Sequence, residues 1–149
     1  MDQQTLTRLK VKVKIDPQLY ELAHELSQTS GTSLSECIES MVLLVKSICS
    51  HSKGDEPVFT MRELKYTTLA NAPSLTKLPQ KKFCHLTLHP DVVSFATYLH
   101  RTYPPVFSSL NDAYELCIRY CCQFCDKGSD SRYLRKRLKD VKKFHARQA

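Results

Sequence analysis

Residues 9–15 read LKVKVKI, an alternation of apolar and basic residues that is followed at once by Asp16-Pro17. Successive side chains of a β-strand point to opposite faces, so Val11, Val13 and Ile15 share one face and three lysines share the other. The Asp-Pro pair ends the strand, and proline suits the first turn of a following helix. This stretch therefore predicts a short strand with one apolar and one basic face.

Two helices are predicted after this strand. Apolar residues recur at helical spacing in the first: Leu19, Leu22, Ala23 and Leu26. Gly31 is expected to cap its end. The second helix begins at Ser33-Leu34-Ser35-Glu36, a capping-box sequence in which serine and glutamate satisfy exposed backbone N–H groups. Its apolar positions are Ile38, Met41, Val42, Val45 and Cys49.

The same order of elements returns later in the chain. Residues 83–88 alternate again, and His89-Pro90 follows. The first helix's stripe recurs at an offset of 73 residues, as Val92, Phe95, Ala96 and Leu99. Ser109-Leu110-Asn111-Asp112 repeats the capping pattern at an offset of 76, and the second stripe becomes Tyr114, Cys117, Ile118, Cys121 and Cys125. Tyr103-Pro104-Pro105 replaces the glycine turn, so we expect a different bend between these helices.

The repeat divides the chain into a first module at 9–50, a linker at 51–81, a second module at 82–125 and a basic tail at 126–149. One module alone has an unpaired strand and an uncovered apolar face. We therefore expect one intertwined domain, mainly α with a short two-stranded antiparallel ribbon and a C-terminal basic helix. Within the linker, Thr60-Met61-Arg62-Glu63 predicts the start of a short helix.

Charge is concentrated in the tail. The net charge is +7, and residues 126–149 hold nine Lys or Arg against three Asp. Such an excess favours phosphate, acidic proteins or anionic lipid as partners. No apolar stretch approaches the roughly 20 residues of a membrane helix, and the N-terminus lacks the apolar region of a signal peptide. We expect a cytoplasmic protein with reduced cysteines and no membrane partner.

The alternating strand, the Asp-Pro or His-Pro pair, the helix and the run from Gly31 to Ile38 resemble the ribbon-helix-helix family of the MetJ/Arc type, in two tandem copies. The resemblance covers residues 9–50 and 82–123. It implies a pseudo-dimer that reads double-stranded DNA with polar strand residues, here Lys10, Lys12, Lys14, His85 and Thr87. It also implies phosphate contacts at the start of each second helix, from Thr32, Ser33, Ser35, Ser109 and Asn111. Because the two strands differ, we expect an asymmetric DNA site.

The tail from Arg132 to Arg147 predicts a helix with Leu134, Leu138 and Val141 on one side. Its cations are further candidates for phosphate binding: Arg132, Arg135, Lys136 and Arg137. A frayed, solvated terminus is an equal alternative, and membrane surfaces or acidic proteins are other partners of such helices. The strand lysines have an alternative role too, since charge on an exposed strand protects it against aggregation.

The cysteines and histidines were considered as sites of chemistry. Cys117, Cys121, Cys122 and Cys125 contain the C-x2-C spacing of zinc and iron–sulfur sites. Three of them align with Met41, Val45 and Cys49, which favours core positions. The six histidines are scattered, and three glycines are too few for a glycine-rich phosphate loop. We therefore expect neither an enzyme nor a cofactor or metal.

The expected function is sequence-specific DNA binding by a transcriptional regulator of the repressor kind, with self-association on DNA as an open question. One alternative is a DNA-architectural accessory protein for conjugation, partition or mobile-element replication. Another is an antitoxin-like module whose linker or tail wraps a protein partner, which exposed apolar linker residues such as Phe59, Leu64 and Tyr66 would favour. A third is a second module that has become purely structural.

Overall fold

The computed structural model describes residues 8–51, 58, 60–62, 82–125 and 132–148. Strand β1 spans Leu9–Ile15, and helices α1 and α2 span Pro17–Ser30 and Leu34–His51. Strand β2 spans Lys82–Leu88, followed by α3 at Pro90–Thr102, α4 at Leu110–Cys125 and α5 at Arg132–Gln148. The prediction of a mainly helical protein with a two-stranded antiparallel sheet is confirmed.

The two strands pair with each other to form a ribbon (β1 and β2). They run antiparallel, with Val11 opposite Leu86 and Val13 opposite Cys84. The alternation decides which face is covered: Val13, Ile15, Cys84, Leu86 and Leu88 are all buried. A shift of either strand by one residue would turn its buried side chains to solvent. The loss would be roughly 25 cal/mol for each Å² of apolar surface returned to water. The opposite face of the ribbon lies in solvent.

The ends of the helices follow the local sequence. Asp16 caps α1 by accepting the N–H of Gln18 at 2.9 Å, and Pro17 occupies the first turn. Gly31 ends the same helix in the left-handed conformation, with φ 68°, which glycine adopts without steric cost. At the start of α2, Ser33 Oγ accepts the N–H of Glu36 at 3.1 Å. The predicted capping box is therefore present.

The second turn differs from the first. Helix α3 ends at Tyr103 with φ −127°, and the connection then continues to residue 109. Phe107 donates its backbone N–H to the carbonyl of Tyr103, and both Val106 and Phe107 are buried. The predicted difference between the turns is thus seen as a longer connection whose apolar residues join the core.

The helices of both halves share one core on the inner face of the ribbon. Helix α2 packs against α4, α1 packs against α4, and α3 packs against both α2 and α4. Helix α2 also contacts β2, and α4 contacts β1. Each half therefore covers the strand of the other half. One half without the other would leave its apolar face exposed to water.

Helix α5 lies on this assembly at one side. It packs mainly against α2 and to a smaller extent against α4. Leu134, Leu138 and Val141 are buried, as the predicted stripe requires, while most of its cations stay in water. No helix in the described part of the chain is long and apolar enough to cross a membrane.

Most of the predicted linker lies outside the described residues, including Phe59, Leu64 and Tyr66. Residues 58 and 60–62 are helical, and Val58 and Met61 are buried in the core. A short helix was predicted to start at Thr60. Because residue 58 is already helical, the helical residues begin earlier than the capping pattern indicated.

Candidate nucleic-acid interface

The solvent face of the ribbon brings together the strand residues that the sequence singled out. Lys10 lies opposite Thr87, and Lys12 lies opposite His85. Both pairs, and Lys14, are exposed. Three cations from β1 therefore share one surface with an imidazole and a hydroxyl from β2.

Phe83 occupies the remaining position of this face, opposite Lys14. Its side chain is 49% exposed, although an aromatic ring gains most from burial. The ammonium groups of Lys12 and Lys14 lie 4.2 and 4.9 Å from the ring centroid. Such cation–π contacts contribute about 0.5–1 kcal/mol at exposed sites. Phe83 thus holds two lysines in place on the outer surface.

The register of the ribbon gives the two halves a pseudo-twofold relation. Lys12 pairs with His85, the residue that occupies the equivalent position in the second copy at the offset of 73. The pseudo-axis therefore passes between these two residues. Lys10 is related in the same way to Phe83, and Lys14 to Thr87, so the two ends of the ribbon present different chemistry.

Two of the predicted phosphate-binding residues attach the helices to the ribbon. Asn111, in the first turn of α4, accepts the backbone N–H of Lys14 at 2.7 Å and donates its amide to the Lys14 carbonyl at 3.0 Å. Its counterpart Ser35 accepts the backbone N–H of Thr87 at 3.0 Å. Each helix start is thereby held at an edge of the ribbon. The Ser35 hydroxyl keeps its own proton available for another acceptor.

The other candidates at the helix starts surround these contacts. Thr32 is half-buried, and Ser33 and Ser109 are exposed. The hydroxyl of Ser109 accepts the N–H of Asp112 at 3.1 Å, as Ser33 does for Glu36. Both serines therefore act as helix caps; the Ser33 hydroxyl also donates its proton to Glu36 Oε1 at 3.2 Å, whereas the Ser109 hydroxyl keeps its proton available.

A pair of glutamates that the sequence analysis missed makes the next layer of contacts. Glu39 is only 8% exposed and accepts the backbone N–H of His89 at 2.7 Å, together with an ion pair from Arg8. Glu115, its counterpart at the offset of 76, accepts the N–H of Asp16 at 2.8 Å. Each carboxylate thus fixes the point where the other half passes from strand to helix. An acidic residue at the same place in two apolar helices was the signal that could have revealed them.

A basic groove separates α5 from the turn between α1 and α2. Its volume is about 830 Å³. Hydroxyl-bearing residues of the end of α1, the turn and α2 line one side: Thr29, Ser30, Thr32 and Ser40. Cations of α5 line the other: Arg132, Arg135, Lys136, Lys139, Lys142 and Lys143. Cys37, Leu138 and Ala146 also line it, and no acidic residue is among the described lining residues, so it is an apolar groove bordered by cations.

Three of the four cations predicted in the tail line this groove. Arg135 is half-buried, and its Nε is enclosed without a hydrogen-bond partner in the described part of the chain. Arg132 and Lys136 are exposed. Arg137 is placed differently, because its guanidinium lies 5.9 Å from the ring centroid of Tyr133. Lys139, Lys142 and Lys143 complete the groove and were not predicted individually.

Helix α5 is tied to the start of α2 by an ion pair. Lys142 Nζ lies 2.6 Å from Glu36 Oε2. The hydrogen bond from Lys142, with a further one from the Ser33 backbone, holds the pKa of Glu36 below its usual value. Exposed pairs of this kind contribute up to about 1 kcal/mol. The contact places the C-terminal part of α5 beside the end of the ribbon that carries Thr87.

Known proteins do not identify the family of this chain. No family model matches it, and neither a curated protein nor a solved structure matches it at a significant level. Its function must therefore be inferred from its own geometry.

The cysteines of α4 are part of the core. Cys117, Cys121 and Cys122 are buried, and Cys121 Sγ lies 3.5 Å from the carbonyl oxygen of Met41 on α2. Burial raises the pKa of the Cys117 thiol, so this side chain stays neutral at physiological pH. Their placement is that of small apolar residues between α2 and α4. The side chain of Cys125 lies outside the described residues.

Proposed function

We propose that the chain is a sequence-specific double-stranded DNA-binding protein, a tandem ribbon-helix-helix pseudo-dimer that acts as a transcriptional repressor. The observation that carries this proposal is the solvent face of the ribbon. Its inner face belongs to the core, and its outer face presents Lys10, Lys12 and Lys14 to solvent along one strand. Within the major groove, those lysines would meet the acceptor atoms of base edges.

The dimensions of the element support this use. The major groove of B-DNA admits a two-stranded β-ribbon, and its floor presents acceptors on guanine and a methyl group on thymine. Lys10, Lys12 and Lys14 would donate to guanine O6 or N7. Phe83 offers an apolar contact for a thymine methyl, and His85 and Thr87 offer polar contacts from the second strand.

The helix starts supply phosphate contacts beside the ribbon. Backbone N–H groups at a helix N-terminus carry partial positive charge and bind phosphate. Ser35 and Asn111 hold these helix starts against the strand edges. In this proposal they position the phosphate site, while Thr32 and Ser109 offer hydroxyl protons to it and Ser33 would exchange its bond to Glu36 for one to phosphate.

Helix α5 makes the proposed footprint asymmetric. The basic groove flanks the end of the ribbon near Thr87, because Lys142 contacts the first turn of α2 and Ser35 of that turn contacts Thr87. The corresponding turn of α4 carries equivalent acidic residues, Asp112 and Glu115, but α5 packs mainly against α2 and so adds its cations at one end of the ribbon. Phosphates beyond the end of the ribbon that carries Lys10 and Thr87 would therefore be bound more tightly than those beyond the end that carries Lys14 and Phe83.

Selection from a pool of random duplexes, followed by sequencing, tests this proposal. Two variants with equal changes in charge are compared with the original chain. In one, Lys10, Lys12 and Lys14 become alanine; in the other, Lys136, Lys139 and Lys143 become alanine. The first should lose the enriched motif. The second should keep the motif but bind it more weakly. Its slope of log binding constant against log salt concentration should be smaller in magnitude by up to about 2.7.

The fold of both variants is checked by circular dichroism and thermal unfolding. The absence of an enriched motif with the original chain would refute sequence-specific binding. An unchanged motif in the ribbon variant would instead assign recognition to another surface. A perfect inverted repeat as the selected site would contradict the predicted asymmetry.

A further inference from the structure

Two histidines and an aspartate from distant parts of the chain converge where α5 ends. His89 and Asp91 belong to the start of α3, and His145 belongs to the last turns of α5. One ligand atom from each residue can be chosen so that all three lie within 4.8 Å of one another. His145 Nε2 lies 2.9 Å from Asp91 Oδ2, and the two imidazole rings are 4.7 Å apart.

These side chains are also held in place. Nδ1 of His89 accepts the backbone N–H of Asp91 at 3.0 Å, and the backbone N–H of His89 is bound by the buried carboxylate of Glu39. The ring of His145 is 79% covered, since its side chain is 21% exposed. These contacts fix the two imidazoles beside the Asp91 carboxylate before any ion binds.

We propose that His89, Asp91 and His145 form a binding site for a Zn²⁺ ion that clasps the C-terminal end of α5 to the start of α3. Imidazole nitrogens bind zinc at about 2.0–2.1 Å and carboxylate oxygens at about 2.0–2.2 Å. Three such ligands leave the fourth tetrahedral position to water. Closing the ligand atoms onto one tetrahedral ion requires movements on the order of 1 Å, because ligands at those bond lengths lie about 3.4 Å from one another, against 2.9 to 4.8 Å here.

A zinc ion replaces the hydrogen bond between His145 and Asp91, so the proton at His145 Nε2 leaves to solvent or moves to Nδ1. The Asp91 carboxylate supplies one negative charge, which offsets one of the two positive charges of the zinc ion. Coordination through Nδ1 of His89 would break its hydrogen bond with the Asp91 N–H, which caps α3. The variant at His89 must therefore remove the imidazole and still provide an acceptor for this N–H.

The experiment uses the full chain, reduced and freed of metal with a chelator, and titrates it with Co²⁺ as a spectroscopic substitute for Zn²⁺. We expect one equivalent of Co²⁺ to bind saturably and to show the visible d–d bands of a site with nitrogen and oxygen ligands. The near-ultraviolet thiolate-to-cobalt band, which cysteine ligands would produce, should be absent. Addition of Zn²⁺ should displace Co²⁺ and remove the d–d bands.

Three variants and a control locate the site. His145→Ala and the nearly isosteric Asp91→Asn each remove one ligand, and His89→Asn removes the imidazole but keeps an acceptor for the helix cap. Each should weaken binding more than about 10-fold, the lower end of the cost of losing even an outer-sphere partner. The control is His51→Ala at the exposed end of α2, where affinity should be unchanged.

Limited digestion with trypsin gives a second readout. Helix α5 is rich in lysine and arginine, so Zn²⁺ should slow cleavage within it in the original chain and in His51→Ala, but not in His145→Ala. Absence of saturable binding, a thiolate band, or equal affinity in His145→Ala and the original chain would overturn the proposal. None of these results depends on DNA, so a failed metal site and a failed DNA-binding proposal remain distinguishable.

Discussion

Replacement of Asn111 by alanine separates a structural role of this residue from a phosphate-binding one. The amide of Asn111 makes two hydrogen bonds with the backbone of Lys14, at 2.7 and 3.0 Å. Net contributions of about 1 kcal/mol for each bond amount to roughly 2 kcal/mol. The higher helix propensity of alanine returns about 0.5 kcal/mol. Asn111→Ala should therefore lower the free energy of unfolding by about 1.5 kcal/mol, or the melting temperature by roughly 3–6 °C.

The equivalent position in the first half provides an internal comparison. Ser35 makes one such bond, with the backbone N–H of Thr87. Ser35→Ala should therefore cost about 1 kcal/mol, less than Asn111→Ala. Urea unfolding followed by far-ultraviolet circular dichroism measures both free energies. Binding of the selected DNA motif is then measured at a temperature where each variant is fully folded.

An unchanged free energy of unfolding in Asn111→Ala, combined with a loss of DNA affinity, would refute this reasoning. The amide would then be a phosphate contact and not an attachment of α4 to the ribbon. Loss of stability with little change in the affinity of the folded variant would support the positioning role.

Two further predictions concern the turn and the core. Gly31→Ala should lower the free energy of unfolding in urea by about 1 kcal/mol, because φ at this position is 68°. A Cβ atom there would meet no heavy atom within 4 Å, so the left-handed backbone conformation is the source of the whole cost. An unchanged urea midpoint would contradict this explanation. Tyr114→Phe should leave stability at neutral pH unchanged or raise it by up to about 1 kcal/mol, because the buried hydroxyl has no hydrogen-bond partner among the described residues. Burial raises the pKa of Tyr114 from 10.0 to about 12, so the folded state retains its proton while the unfolded state ionises. The free energy of unfolding is therefore unaffected by this ionisation below pH 10 and falls as pH rises from 10 towards 12. The phenylalanine variant lacks the ionisable group, so it should lose less stability than the original chain over this range. Equal losses in the two proteins would contradict the prediction.

Local periodicity determined most of the secondary structure from the sequence alone. The alternation at 9–15 and 83–88 predicted both strands and their buried faces, because a side chain's face in a strand depends on its parity. Helical stripes and caps predicted α1 to α4, and the stripe of Leu134, Leu138 and Val141 predicted the buried side of α5. The exposed strand residues Lys10, Lys12 and Lys14 followed from the same rule.

Tertiary structure alone decided which of these residues meet. The pairing of Lys12 with His85 joins positions 73 residues apart, and His145 reaches Asp91 across 54 residues. Ser35 and Asn111, predicted as phosphate contacts, were found bonded to strand backbone, because the open edges of a two-stranded ribbon present unpaired groups that nearby side chains can satisfy. Periodicity specifies the face on which a residue lies, whereas its partner depends on how the two halves pack.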